Sequence, residues 1–441
     1  MDFGALVASA GGTLWVVVFF VIALSIIVAI HEYGHYIVAR WSGIDAEVFS
    51  VGFGPILFSR VDKRGTRWQI AALPLGGYVK FLGDKNAASV GHNEDVPAAR
   101  NTIHGAPLWA RSATVAAGPM FNFILSIAIF MGLIFSTGVA SDPLTVEDIL
   151  PTPAAGVTLQ AGDIMRAVDG NAVSALEEFS AATENLPHTQ TISYRVERAG
   201  DVLDVVGPHP YPPIALSISP NSASLDAGLE SGDVVTAVDG QPIFAFSQLQ
   251  DAVRASAGAA VLLDVWRDAE MLQFTLVPRQ VDVPMSEGGF ETRYLIGITG
   301  GLAFEPATSA PGVWEAFNSA VQRTWFIITS SISGLWNVVT GAISSCNISG
   351  PVGIAQTSGA MAAQGTMSFI SFIAVLSTAV GLLNLFPVPM LDGGHLMFHA
   401  YEAVTGRQPS NSALQWLMTL GLTMVLSLMV FALSNDLFLC P

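Results

Sequence analysis

The chain has 441 residues, of which 51% are hydrophobic and only 12% charged, with a formal charge of −17 and a mean hydropathy of +0.53. These values exclude an ordinary soluble globular protein and point to a membrane protein of two or three domains. Cys346 and Cys440 are the only cysteines, too few for a disulfide framework or a Cys-rich metal site, so any metal here must use His and carboxylates.

The first predicted span runs from Thr13 to Ile30. It is read as a retained helix and not a removable signal, because no basic segment precedes it and no Ala-x-Ala-like site follows. It leads directly into His31-Glu32-Tyr33-Gly34-His35. Nine of the 18 basic residues lie between this span and the next, which places that loop in the cytoplasm by the positive-inside bias. Within the loop, Val48 to Phe58 and Arg67 to Phe81 read as β-runs around a charged turn at Asp62 to Gly65. The stretch from Asp84 to Arg100 reads as a mobile inner loop without an assignable role.

A second span is expected from Val115 to Val139, then an acidic region from Ser141 to about Pro311, which belongs outside. That region repeats itself. Ala161-Gly162-Asp163-Ile164-Met165-Arg166-Ala167-Val168-Asp169-Gly170-Asn171 returns 70 residues later as Ser231-Gly232-Asp233-Val234-Val235-Thr236-Ala237-Val238-Asp239-Gly240-Gln241. Each copy reads as a Gly-Asp turn, a strand and an Asp-Gly turn. Beyond it, Trp314, Phe317, Val321, Trp325, Ile328, Ile332, Leu335, Val339 and Ala342 form a helical stripe, and the uncharged segment 324–344 is expected to lie on the outer surface as an amphipathic helix.

Spans three and four are expected from Met367 to Met390 and from Ala413 to Leu433. Domain limits are accordingly expected at 1–140, 141–212, 213–290, 291–366 and 367–441, the fourth being linker plus surface helix.

The chemistry sits at two places. In a helix, residues four apart share a face, so His31 and His35 can reach one ion while Glu32 stands near the remaining coordination position, ready to take a proton from water. Such residues at membrane depth are functional by default. Catalytic zinc takes a third protein ligand. Asp392, in Asn384-Leu385-Phe386-Pro387-Val388-Pro389-Met390-Leu391-Asp392-Gly393-Gly394-His395, is the best candidate, with His395 and His399 as rivals. Four spans bring His35 and Asp392 to the same side, whereas a fifth would separate them by about 30 Å. Asn384 and Asn122 are either substrate contacts or interhelical hydrogen bonds, and Gly76 and Gly77 lie in the second β-run, which is either a hairpin whose edge pairs with an extended substrate or an ordinary cytoplasmic hairpin touching the headgroups.

The repeated units resemble the bacterial PDZ domain, in tandem over roughly 142–290. The two metal segments, Gly118-Pro119 with Asn122, and the paired units between spans two and three together resemble the site-two protease family of intramembrane zinc metalloproteases, over nearly the whole chain. The resemblance implies a polytopic helical membrane protein of four spans, with a membrane-associated β-hairpin and two periplasmic PDZ domains, in a bacterial inner membrane. It implies Zn2+ held by His31, His35 and Asp392, with Glu32 as base. Its expected partners are the lipid bilayer, single-span membrane proteins such as an anti-sigma factor already trimmed outside, and remnant signal peptides, with no nucleic acid; whether the PDZ units bind peptide or act as a size filter stays open. The alternatives from other classes are a PDZ scaffold without proteolytic activity and an ion transporter; the latter fits poorly, because the repeat is extramembrane.

Overall fold

The structure is a computed structural model describing residues 3–84, 99–220, 222–285 and 289–439. The proposed loop from Asp84 to Arg100 therefore falls almost wholly outside the described residues. The fold divides into two units, 1–133 with 314–441, and 134–313.

In the first unit, helix α1 (Phe3–Trp41) continues without a break from the apolar run through the His-Glu motif. Strands β1 (Ala46–Val61) and β2 (Arg67–Phe81) follow and pair with one another. Both bend in the middle, so Val48 to Val51 lies between Gly77 to Lys80 on one side and Arg67 to Ile70 on the other. Gly52 makes this bend possible. It has φ +91°, and a Cβ there would meet the Ala71 and Leu73 carbonyl oxygens at 2.9 Å. The bend leaves Phe53, Ile56, Leu57, Phe58 and Leu73 exposed at the tip, while Phe49, Val79 and Phe81 pack with Tyr36, Ala39 and Ala110 into a buried cluster. Helix α2 (Leu108–Thr137) closes this half.

The second unit holds the repeat. Its first lobe comprises β3 (Val139–Ala140), β4 (Val146–Ile149), β5 (Ile164–Val168), β6 (Asn171–Ala172), α3 (Leu176–Ala182), β7 (Thr191–Arg198) and β8 (Asp201–Pro208), with sheet order β6-β5-β7-β8. The second comprises β9 (Ser217–Ile218), α4 (Ala223–Ala227), β10 (Val234–Val238), β11 (Gln241–Pro242), α5 (Phe246–Ala255), β12 (Val261–Arg267), β13 (Glu270–Leu276), β14 (Arg279–Pro284), β15 (Phe290–Leu295) and β16 (Ile298–Thr299), with the equivalent order β11-β10-β12-β13. The expected Asp-Gly turns are present, with Asp169 and Gly170 at φ 46° and 82° and Asp239 and Gly240 at 49° and 75°. Strands β17 (Phe304–Pro306) and β18 (Thr308–Ser309) then return to pair with β4 and β3. The second lobe is thus inserted into the first, and residues 291–309, expected as linker, are strands of this unit. The pairings of β16, β17 and β18 are two or three residues long, too short to leave a period in the sequence.

Helix α6 (Val313–Val339) covers most of the expected amphipathic segment. Its buried stripe is the small one, Ala316, Ala320 and Thr324, while Trp314, Trp325 and Trp336 stand exposed. Helix α7 (Pro351–Ala363) was not foreseen and packs on α1. Trp15 Nε1–H donates to the Gly359 carbonyl at 3.1 Å, and a Cβ on Gly359 would lie 2.5 Å from Val16 Cγ2. Helix α8 (Thr366–Asn384) stops where Pro387 and Pro389 forbid continuation, six residues before the expected end. A separate helix, α9 (Asp392–Thr405), starts at the candidate ligand, and α10 (Asn411–Ser434) follows, continued by a wider helical turn over Asn435–Leu439. The Asp436 carboxylate accepts the Gly350 and Gly353 N–H groups at 2.8 and 2.9 Å, satisfying the start of α7 from the far end of the chain. Cys346 is disulfide-bonded.

Among the described residues, four helical segments are long and apolar enough to cross a membrane, Gly12–Trp41, Leu108–Thr137, Thr366–Asn384 and Ser412–Leu439. The packing among three of them uses small and hydroxyl residues, as lipid surroundings favour. Ser126 Oγ–H is within reach of the Asn122 and Ala374 carbonyls at 2.9 and 2.8 Å, Ser377 Oγ–H donates to the Asn122 carbonyl at 2.9 Å, and Ala23 and Ile27 meet Phe369 and Ile373 in a buried cluster.

Candidate metal centre

His31 and His35 lie one turn apart on α1 and meet Asp392 at the first residue of α9. His31 Nε2 is 3.2 Å from His35 Nε2 and 3.2 Å from Asp392 Oδ2, and His35 Nε2 is 3.5 Å from the same oxygen. Among the described residues this is the one group of three or more His, Cys, Asp or Glu side chains whose donor atoms converge on a point.

The partners of the outer ring nitrogens decide what the inner ones offer. The Thr114 carbonyl accepts the His35 Nδ1–H at 2.9 Å, which leaves Nε2 with its lone pair directed inward. Asn122 Nδ2 lies 3.1 Å from His31 Nδ1; with the amide turned about so that Oδ1, which is otherwise buried without a hydrogen-bond partner, faces that nitrogen, it accepts the Nδ1–H and does the same for this ring. Two nitrogen lone pairs and a carboxylate oxygen facing one another repel unless a cation lies between them. Bond lengths of 2.0–2.1 Å in a tetrahedral zinc site imply ligand-to-ligand edges of about 3.3 Å, and the observed triangle of 3.2, 3.2 and 3.5 Å fits. These residues therefore suit Zn2+, with the fourth position open to a cavity of 330 Å³ lined by Glu32, Gly77, Asn384, His395 and His399 among others.

Close approaches build the site. A Cβ on Gly118 would stand 2.4 Å from His35 Nε2, and Cβ atoms on Gly393 and Gly394 would lie 2.2 Å from the Phe386 and 2.3 Å from the Val388 carbonyl oxygen, so the Pro-x-Pro turn can fold over α9 only with glycine beneath it. Glu32 accepts a hydrogen bond from the Val79 N–H, which ties the carboxylate to β2. A Cβ on Gly77 would come within 3.2 Å of Glu32 Cγ, whereas one on Gly76 would meet the Phe53 ring.

Of the expected substrate contacts, Asn384 and Gly77 face the cavity. Asn122 does not: it is fully buried against His31, because α2 packs directly behind the motif, and its side chain holds the imidazole. His399 is engaged through Nδ1 by Ser112 at 3.2 Å and stands outside the converging triangle, as does His395. The sequence reading missed the Thr114 carbonyl, which no side-chain pattern can reveal.

A family model described as "Peptidase family M50" matches residues 19–428. The chain belongs to peptidase family M50. Similar proteins include a "Putative zinc metalloprotease" of Agrobacterium fabrum, 34% identical over 441 residues and 98% of each chain. Another of the same description, from Rhizobium meliloti, is 35% identical over 423 residues and 95% of each. The "Regulator of sigma-E protease RseP" of Salmonella typhimurium is 32% identical over 453 residues, covering 96% of this chain and 98% of its own. The site-two protease resemblance is therefore borne out: this M50 chain is an intramembrane zinc metalloprotease, and the scaffold and transporter readings fall.

Proposed function

We propose that His31, His35 and Asp392 hold the catalytic zinc and that Glu32 is the general base. The observation carrying this assignment is the triangle of inward-facing donor atoms at tetrahedral spacing, beside a carboxylate that opens to the same cavity. When bound, the ion supplies Lewis acidity to a water and to the scissile carbonyl. Glu32 takes a proton from the attacking water as oxygen bonds to the carbonyl carbon, and returns it to the amide nitrogen as the C–N bond breaks. Asn384, on the cavity wall, donates to the carbonyl oxygen as negative charge develops there.

The substrates in this reading are single-span membrane proteins such as a pre-trimmed anti-sigma factor, together with remnant signal peptides. A membrane helix buries its peptide bonds in its own hydrogen bonds, so it must be drawn out before cutting. The β2 edge around Gly77 and Val79 is suited to pair with the extended segment, and the exposed apolar tip of the β1–β2 ribbon is suited to dip into lipid. The two lobes of the second unit are taken as PDZ domains, on the strength of the repeated turns and matching sheet orders.

We place the lobes in the periplasm of a bacterium, the spans in its inner membrane and the metal centre near the cytoplasmic side. The nine basic residues of the first loop support this orientation, and so does the disulfide at Cys346, which belongs in an oxidising compartment. The deciding experiment is cleavage of a single-span substrate lacking its outer domain by purified wild-type and Glu32→Gln protein, with zinc determined on both. Loss of cleavage with zinc retained is expected; equal cleavage by the two proteins would overturn the role of Glu32.

A further inference from the structure

Two of the three candidate ligands are indexed to one helix. The α2 backbone holds His35 through the Thr114 carbonyl, and the α2 side chain of Asn122 holds His31. Among the described residues, Asp392 has no such direct support from α2. It rides on the first residue of α9, and among the described residues no member of α9 belongs to a buried apolar cluster.

What fixes α9 is its polar stripe. Asp392, His395, His399 and Glu402 fall at i, i+3, i+7 and i+10, one face of the helix. The other side carries Met397, Tyr401 and Val404, all exposed. At the far end of the stripe, the Arg111 guanidinium of α2 forks onto the Glu402 carboxylate, with Nη1–H to Oε2 at 3.0 Å and Nη2–H to Oε1 at 2.6 Å. The two side chains are only 10% and 18% exposed. Arg111 Nε–H also donates to the Ala106 carbonyl at 3.2 Å, so the fork is itself held in direction. Ser112 and His399 form the second contact on the same stripe. Ten residues of helix place the fork about 15 Å from Asp392. A rod fastened at that distance, with its near end turned over the Gly393-Gly394 step, has its rotation and tilt set by the fastening.

We propose that Arg111 and Glu402 form a positioning clamp for the metal centre, locking α9 to α2 so that the Asp392 carboxylate completes a ligand set already tied to α2. The inference rests on the reading of Asp392 as third ligand. The clamp touches neither substrate nor metal; it acts through α9.

The test uses the purified full-length enzyme and follows release of zinc to a coloured chelator, alongside kcat and KM for a single-span substrate. Arg111→Met leaves Glu402 buried without its partner and risks misfolding, so it is paired with Arg111→Met/Glu402→Met, which removes both charges and keeps side-chain bulk. Both variants are expected to release zinc about 10–100-fold faster than wild type, the range found when the supports of metal ligands are removed, with kcat lowered, KM unchanged and the unfolding transition of the double variant still cooperative. A double variant that folds and releases zinc at the wild-type rate overturns the clamp. Asp392→Ala separates the two claims: wild-type zinc retention in that variant sinks the ligand assignment itself, whereas fast release there with slow release in the double variant sinks only the clamp.

Discussion

Gly118 on α2 lies directly beneath the His35 imidazole: a Cβ at this position would stand 2.4 Å from Nε2 and 2.5 Å from Cε1, and 2.8 Å from Nε2 of His31. Neither ring can retreat, since each is tethered through Nδ1 to α2 itself. Gly118→Ala therefore pushes both donor nitrogens off their common point. The expected result is a folded protein whose zinc affinity is at least about tenfold lower, measured as metal content after dialysis against graded chelator. Full zinc content with full cleavage would show that the rings accommodate a methyl group and that the close approach is not needed.

Asn122 tests whether an interior amide supports the metal or the substrate. If it holds the His31 Nδ1–H, Asn122→Leu removes the one partner that nitrogen has among the described residues and costs about 10–100-fold in zinc affinity. Asn122→Asp keeps an acceptor oxygen and is expected to retain zinc. A substrate contact would give another pattern, a raised KM with zinc binding untouched.

The two lobes of the repeat share a buried ion pair. Asp163 and Asp233 are 0% and 1% exposed, and each receives a two-pronged Arg, Arg198 at 2.6 and 2.7 Å and Arg267 at 2.6 and 2.6 Å. Each also accepts the backbone N–H three residues earlier, from Gln160 and Glu230, at 2.9 Å. Asp163→Ala strands the part-exposed Arg198 guanidinium and the Gln160 N–H, and is expected to destabilise its lobe by about 1–2 kcal/mol. Limited proteolysis should then cut the first lobe of Asp163→Ala and the second of Asp233→Ala. Proteolytic patterns indistinguishable from wild type in both variants would mean that the pairs are dispensable.

Local signals were readable in the sequence and distant ones were not. The His31 and His35 spacing is a helical face, and the Asp-Gly turns of the repeat need positive φ, so both are visible without a partner in view. Pro351 after Gly350 is a helix-start signal that would have located α7, had the small residues behind it shown an apolar stripe. Arg111 reads as one more basic residue of the inner loop, because Glu402 is 291 positions away. The burial of Asn122 against His31, across 91 positions, is equally invisible, which is why substrate contact and interhelical hydrogen bond both stood open there. The strands at 298–309 gain their order only from pairing with residues far upstream.

Acid should loosen the α2–α9 contact before it affects the clamp. Burial, with the nearby positive charge of Arg111 and the neighbouring His395, lowers the pKa of His399 from 6.5 to about 4, against a smaller opposing pull from Glu402. His399 is therefore neutral in the folded protein at neutral pH, hydrogen-bonded to Ser112. Its folded pKa is below its unfolded value, so on acidification the unfolded chain takes up the proton first. The stability contributed by this group is complete above pH 6.5 and is lost as pH falls toward about 4, on the order of 1–3 kcal/mol in all. His395, also lowered by burial, adds a loss of the same sign, whereas Glu402, held below its usual value by the Arg111 hydrogen bonds, begins to lose stability only below 4.5. The measurement is the thermal unfolding midpoint of the detergent-solubilised protein from pH 7.5 to 4.5, compared with His399→Gln. The variant should show a shallower decline over this interval; a slope equal to wild type would mean that His399 takes up its proton at the same pH in the folded and unfolded chains, so that burial against α2 does not hold the ring neutral.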